Sequence, residues 1–116
     1  MTAKVRVEFI TLAAVGAAAG VETDQPDAFF AAQEISATGL TPTSSNAAPT
    51  FGTVEGNSVL QGVARVHPIS GTAIVAAPGS AAPTSDTAGY RLAVGDAPLD
   101  LPITTGQVVA ICEATD

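Results

Sequence analysis

The sequence predicts an all-β fold: a small antiparallel β-sandwich or barrel with an extended N-terminal arm and room for one short helix. Three observations lead there. Apolar residues fall in short runs that alternate or cluster at strand length, and Gly, Pro, Asn and Ser punctuate those runs at close spacing. The prolines lie between the runs or at their ends, where a missing N–H does least harm. The chain has 116 residues, which suits one domain, and its Leu, Ile, Val and Phe number 28. That is about a quarter of the chain, above the roughly one-fifth below which disorder is the default, so a core forms but a thin one.

Residues 4–12 open the series. Val5, Val7 and Phe9 share one face, and Ile10 and Leu12 then fall in the opposite register, as in a strand with a bulge near Phe9 and Ile10. Residues 13–21 hold Gly16 and Gly20 among alanines, with Val15 and Val21; helix stays open beside extended arm or loop, since the glycines and the short length make an isolated helix marginal. An acidic turn follows over 22–27. Asp27 then caps a short helix over 28–34, or the same residues form a strand running into Ile35.

Residues 41–50, Thr-Pro-Thr-Ser-Ser-Asn-Ala-Ala-Pro-Thr, read as loop and mark the clearest internal boundary. Residues 1–49 are thus an N-terminal arm with a first β/loop region, residues 50–116 a compact β-domain, and the two make one structural domain overall. Strand-compatible runs follow at 50–55, 59–67, 72–77, 90–94, 99–103 and 107–114, with turn chemistry between them. The last, Val108-Val-Ala-Ile-Cys112, is apolar on both faces and belongs in the middle of its sheet.

Composition excludes several functions. The chain carries 11 Asp and Glu against 4 Lys and Arg, a net charge of −7, and four scattered cations cannot neutralise a phosphate track. No nucleic-acid partner is expected. No run reaches the roughly 20 apolar residues of a membrane span, so no membrane partner is expected either. The opening Met1-Thr-Ala-Lys-Val-Arg6 and the alanines up to Ala19 imitate a secretory signal, but Glu8 and the strand-like alternation of residues 4–9 speak against one. The single Cys112 permits no internal disulfide and reads as a small buried hydrophobe.

Catalytic and metal chemistry find little support. His67 is the only imidazole, sits before Pro68, and has no second histidine to share a metal, so a structural or surface role is expected. Glu22, Asp24 and Asp27 invite calcium but lack the Gly and terminal Glu of an EF-hand loop. Asp96 and Asp100 lie in a turn beside Pro and Leu with no Trp platform for a sugar. No enzyme activity, metal or cofactor is expected. Only 13% of residues are charged, which leaves a small, neutral surface suited to repeated contact with other protein chains. Val5, Val7 and Phe9 are candidates to pair with a neighbouring subunit by β-augmentation, and Phe29 and Phe30 to fill an apolar pocket on it; core packing is the competing role for all five.

The segments Val59-Leu-Gln-Gly-Val-Ala-Arg-Val-His67, Gly71-Thr-Ala-Ile-Val-Ala-Ala-Pro-Gly79, Gly89-Tyr-Arg-Leu-Ala-Val-Gly95 and Thr105-Gly-Gln-Val-Val-Ala-Ile111 carry a pattern of strand, Ala/Pro/Gly loop, strand, turn and strand. Over roughly residues 50–114 this pattern resembles small β-domain virion proteins of tailed bacteriophages, head-decoration or cement proteins above all. The resemblance implies a homo-oligomer, a trimer by preference, on the outer surface of the head, where it bridges neighbouring major capsid subunits and stabilises the DNA-filled shell. Two other readings stand beside it: a tail, head-completion or fibre-associated virion component, and a secreted carbohydrate-binding β-module, for which Tyr90 is the single Tyr.

Overall fold

Alternation of Val with Lys, Arg and Glu over residues 4–9 makes one strand face apolar and the other charged, and a second sheet is needed to cover the apolar one. A computed structural model describes residues 2–11, 28–49, 51, 53, 54, 58, 59, 62–85 and 87–114, with the backbone alone at 28–30, 53, 54, 58 and 59. It contains β1 (Thr2–Thr11), β2 (Ala28–Thr38), β3 (Thr43–Ser44), β4 (Thr53–Val54), β5 (Ser58–Val59), β6 (Gly62–Ser70), β7 (Thr72–Val75), β8 (Tyr90–Ala93), β9 (Leu99–Ile103) and β10 (Ala110–Glu113). The first sheet has the order β2-β1-β6-β9 and the second β3-β10-β7-β8, while β4 and β5 form a separate ribbon. All pairings are antiparallel. The protein is an all-β sandwich, and no helix occurs among the described residues.

The inner faces meet in one core. Val5, Val7 and Phe9 from β1, Ile35 from β2, Val66 from β6 and Leu101 and Ile103 from β9 pack against Val75, Leu92 and Ile111 of the second sheet. Small residues at Ala3, Ala37, Ala64 and Ala73 let the sheets approach. The second sheet is also buried on its other face: Ile74 and Cys112 are fully buried outside that central cluster. The connection between β7 and β8 lies over this side. Its Gly79, Ser80 and Ala82 share a depression with Ala76 and Ala110, and its Pro83 is fully buried.

One expectation is corrected and one open choice is decided. Residues 2–11 are not an arm reaching outward: β1 lies between β2 and β6 and pairs with both along its length. Residues 28–34, open to helix or strand in the sequence, belong to β2, because antiparallel pairing with β1 engages one edge of their backbone and partners six of the seven. The 41–50 segment, read as loop, contains the two-residue strand β3, whose pairing with β10, together with that of β1 with β6, makes residues before and after position 50 share both sheets. The 13–21 segment and the acidic turn at 22–27 lie outside the described residues.

The expected irregularity at Phe9 and Ile10 is present. The β1–β2 register steps from Phe9 opposite Ala31 to Ile10 opposite Phe29, so the additional residue, Phe30, is on β2 and not on β1. Ile10 then turns to the outer face, where it is buried opposite Val63. Prolines enter two strands. Pro102 lies in β9, an edge of its sheet, and Pro68 lies where β6 has already run past the end of β9 and has β1 as its neighbour.

The strands β6 and β7 are nearly one strand bent at Gly71, which carries the chain from one sheet to the other. Its φ of +66° and the backbone oxygen of Thr2, 2.8 Å from where a Cβ would stand, both require glycine. The strand β10, interior between β3 and β7, is buried on both faces, as its composition predicts.

Candidate interaction surface

The outer face of the first sheet gathers most of the ionised side chains of its strands. Parity along β1 turns Lys4, Arg6 and Glu8 outward, and antiparallel pairing places Ser36, Glu34 and Ala32 of β2 on one side of them. Arg65 and His67 of β6 lie on the other side, with Asp100 of β9 beyond Arg65. Three of the chain's four cations and its only histidine therefore share one face.

Each of these charges has a partner within the chain. Lys4 Nζ is 3.2 Å from Glu34, and Arg6 Nε is 3.2 Å from Glu8. Glu8 Oε1 is also within hydrogen-bond distance of His67 Nε2, at 2.9 Å, a contact that joins β1 to β6. Arg65 donates through both Nε and an Nη to the two oxygens of Asp100, at 2.8 and 3.1 Å. That fork is the strongest geometry available to such a pair, yet partial exposure holds each bridge to about 1 kcal/mol or less. The four strands hold three carboxylates and three Lys or Arg, so this face is balanced while the whole chain carries −7. The chemistry on offer is recognition by preformed charge pairs.

The rim of the second sheet is built differently. The depression beside the β7–β8 connection, about 270 Å³, is lined by small or neutral groups such as Ser44, Ala76, Gln107 and Ala110, with no ionisable side chain. Around it the loops are locked together by main-chain bonds. Ala48 donates to the Gln107 carbonyl at 2.8 Å, Gly106 donates to the Ala48 carbonyl at 3.0 Å, and buried Ser45 Oγ accepts the Val109 N–H at 3.0 Å. Gly39 and Glu113 are tied twice: Glu113 N–H donates to the Gly39 carbonyl, and Gly39 N–H donates to Glu113 Oε1, both at 2.8 Å.

Comparison with protein-family models, curated proteins and solved structures finds no match.

The residues singled out in the sequence fall as follows. Val5, Val7 and Phe9 are in the sandwich core, each less than 4% exposed, so their side chains are not available to a partner. The physical reason is that β1 is an interior strand whose apolar face meets the second sheet. Phe29 and Phe30 are in β2 by backbone, and their side chains lie outside the described residues, as do Glu22, Asp24 and Asp27. Asp96 caps its own turn by accepting the Ala93 N–H at 2.8 Å, and Asp100 is held by Arg65, so the two carboxylates serve separate structural roles. His67 is half-buried against Glu8, and Cys112 is fully buried. Among the described residues no three His, Cys, Asp or Glu side chains are grouped to hold a metal.

What the sequence reading missed is the grouping of the cations. Along the chain they look scattered, and their convergence depends on β1 and β6 being neighbours across more than fifty residues. The available signal was the matched alternation in Lys4-Val-Arg-Val-Glu8 and Val63-Ala-Arg-Val-His67, which puts charges on one face of each strand.

Proposed function

We propose that this protein is a non-enzymatic virion module that binds the outer surface of a tailed-phage head and bridges neighbouring major capsid subunits. The observation that carries the reading is the outer face of the first sheet, where Lys4, Arg6, Glu8, Glu34, Arg65, His67 and Asp100 are already paired with one another within the all-β frame. Such a face docks against protein without first having to order long side chains. The resemblance of residues 50–114 to phage cement domains supports the choice of partner. The acidic surplus resides in segments other than these four strands, which suits an orientation with the balanced face toward the capsid. Copies spread over a shell would each make modest contacts whose joint strength resists the pressure of packaged DNA.

The test is to add the purified chain to heads assembled without it and count bound copies per major capsid subunit while recording the temperature at which DNA escapes. Near-stoichiometric binding with a raised threshold supports the reading. Removing the fork with Arg65→Gln should weaken that binding by about tenfold while the fold stays intact. Absence of binding at micromolar protein overturns it. A dozen copies or fewer per particle would point instead to a tail or connector component.

A further inference from the structure

Four edges bound the two sheets, and three of them are blunted. The strand β9 carries Pro102 within its five residues, β8 is four residues long and bears Arg91, and β3 has two residues. The fourth edge, β2, carries a bulge at Phe30 but none of these protections beyond it. It is 11 residues long, and its residues 31–38 run in unbroken register against residues 2–9 of β1. The stretch Ala31-Ala-Gln-Glu-Ile-Ser-Ala-Thr38 has no proline and no lysine, and its one charge, Glu34, is met by Lys4. Among the described residues no strand pairs with the outer edge of β2. A long, weakly charged row of backbone donors and acceptors is a template for another strand.

We propose that two copies of this chain join through β2, edge to edge and antiparallel, so that their first sheets merge into one eight-stranded sheet. A second copy fits the edge because the contact is self-complementary. Side chains at 31, 33, 35 and 37 face the core and those at 32, 34, 36 and 38 face outward, so the seam keeps both faces continuous when each residue meets one an even number of positions away. Centred on Ile35, it sets Ile35 against its own copy, Glu34 against Ser36 and Ala32 against Thr38, with no like charges directly opposed. Centred on Glu34, it would set two carboxylates face to face, which is unfavourable. Two-fold pairing uses both open edges at once, and the blunted edges leave nothing to propagate, so the assembly closes as a dimer and not a fibre. Each copy carries −7, yet the seam lies in the charge-balanced sheet, and added salt should strengthen it by screening the remainder. This inference does not rest on the capsid reading.

Sedimentation equilibrium of the full chain, with hydrogen exchange followed at low and high protein concentration, tests it. The expected results are a mass approaching twice 11.4 kDa and protection of alternate amides in 31–38 that rises with concentration. Ser36→Glu sits opposite Lys4 in its own chain and faces Glu34 of the other copy twice, so it should weaken dimers by about tenfold or more with an unchanged melting curve. Adding Glu34→Gln should restore them. A monomer at every concentration, a trimer or larger assembly, exchange in 31–38 that ignores concentration, or a dimer indifferent to Ser36→Glu would each overturn the proposal.

Discussion

Replacing Gly71 by alanine tests the corner that joins the two sheets. Two costs add there. Alanine at a φ of +66° loses about 1–2 kcal/mol in the left-handed region, of which up to about 1 kcal/mol is returned because the unfolded chain is also restricted. The new methyl would then stand 2.8 Å from the Thr2 carbonyl oxygen and 3.2 Å from the Ala3 Cα, where ordinary contact begins at 3.4 Å. Both are backbone atoms of β1, held between β2 and β6, so relief requires moving a strand and costs roughly another 1–3 kcal/mol. The total is about 1–5 kcal/mol, a large share of a small domain's stability. Gly39 is the built-in control: its φ is +59° and nothing lies within 4 Å of its Cβ position, so Gly39→Ala should cost only about 1 kcal/mol. Urea unfolding of the two variants, with equal m-values, gives the difference directly. If the two lose the same stability to within about 0.5 kcal/mol, the close approach of Thr2 is not a constraint and the reasoning fails.

Other substitutions probe the core and the outer face. Ile111→Ala removes a fully buried side chain from the interior strand β10 and should cost about 2–5 kcal/mol in the same unfolding assay. Val7→Asp places an unpartnered carboxylate at a core position and should abolish the cooperative thermal transition followed by circular dichroism. Ser45→Ala leaves the Val109 N–H without its acceptor, for a loss of about 1–3 kcal/mol, with faster hydrogen exchange at Val109 as its local mark. Glu8→Gln weakens the contacts to Arg6 and His67 together, so the expected cost is about 1 kcal/mol at low ionic strength and less in concentrated salt.

Local chemistry made most of the strands legible. Turn residues bracket the runs that become β7, β8 and β9, and the doubly apolar Val108-Val-Ala-Ile-Cys112 marks an interior strand because both its faces must be covered. The change of apolar register at Phe9 and Ile10 located an irregularity correctly, though nothing in β1 could reveal that the extra residue belongs to its partner. Residues 28–34 were ambiguous for a physical reason: Ala, Gln and Glu favour helix locally, and pairing with β1 outweighs that preference. Val5, Val7 and Phe9 read equally well as an exposed docking stripe or a core stripe, since alternation tells which residues share a face and not what covers it. The charged surface was hidden for a related reason, because Lys4, Arg6, Arg65 and Asp100 meet only through long-range pairing.

The interior position of β1 also fixes an order of events at the ribosome. Val7 faces Val66, about sixty residues further along, so at roughly 5–20 residues per second β6 emerges some seconds after β1. During that interval β1 has only β2 to pair with, and its Val5, Val7 and Phe9 stripe has no second sheet to cover it. Closure of β6 onto β1 is therefore a non-local step, and the apolar stripe of β1 stays uncovered until the later strands have been made.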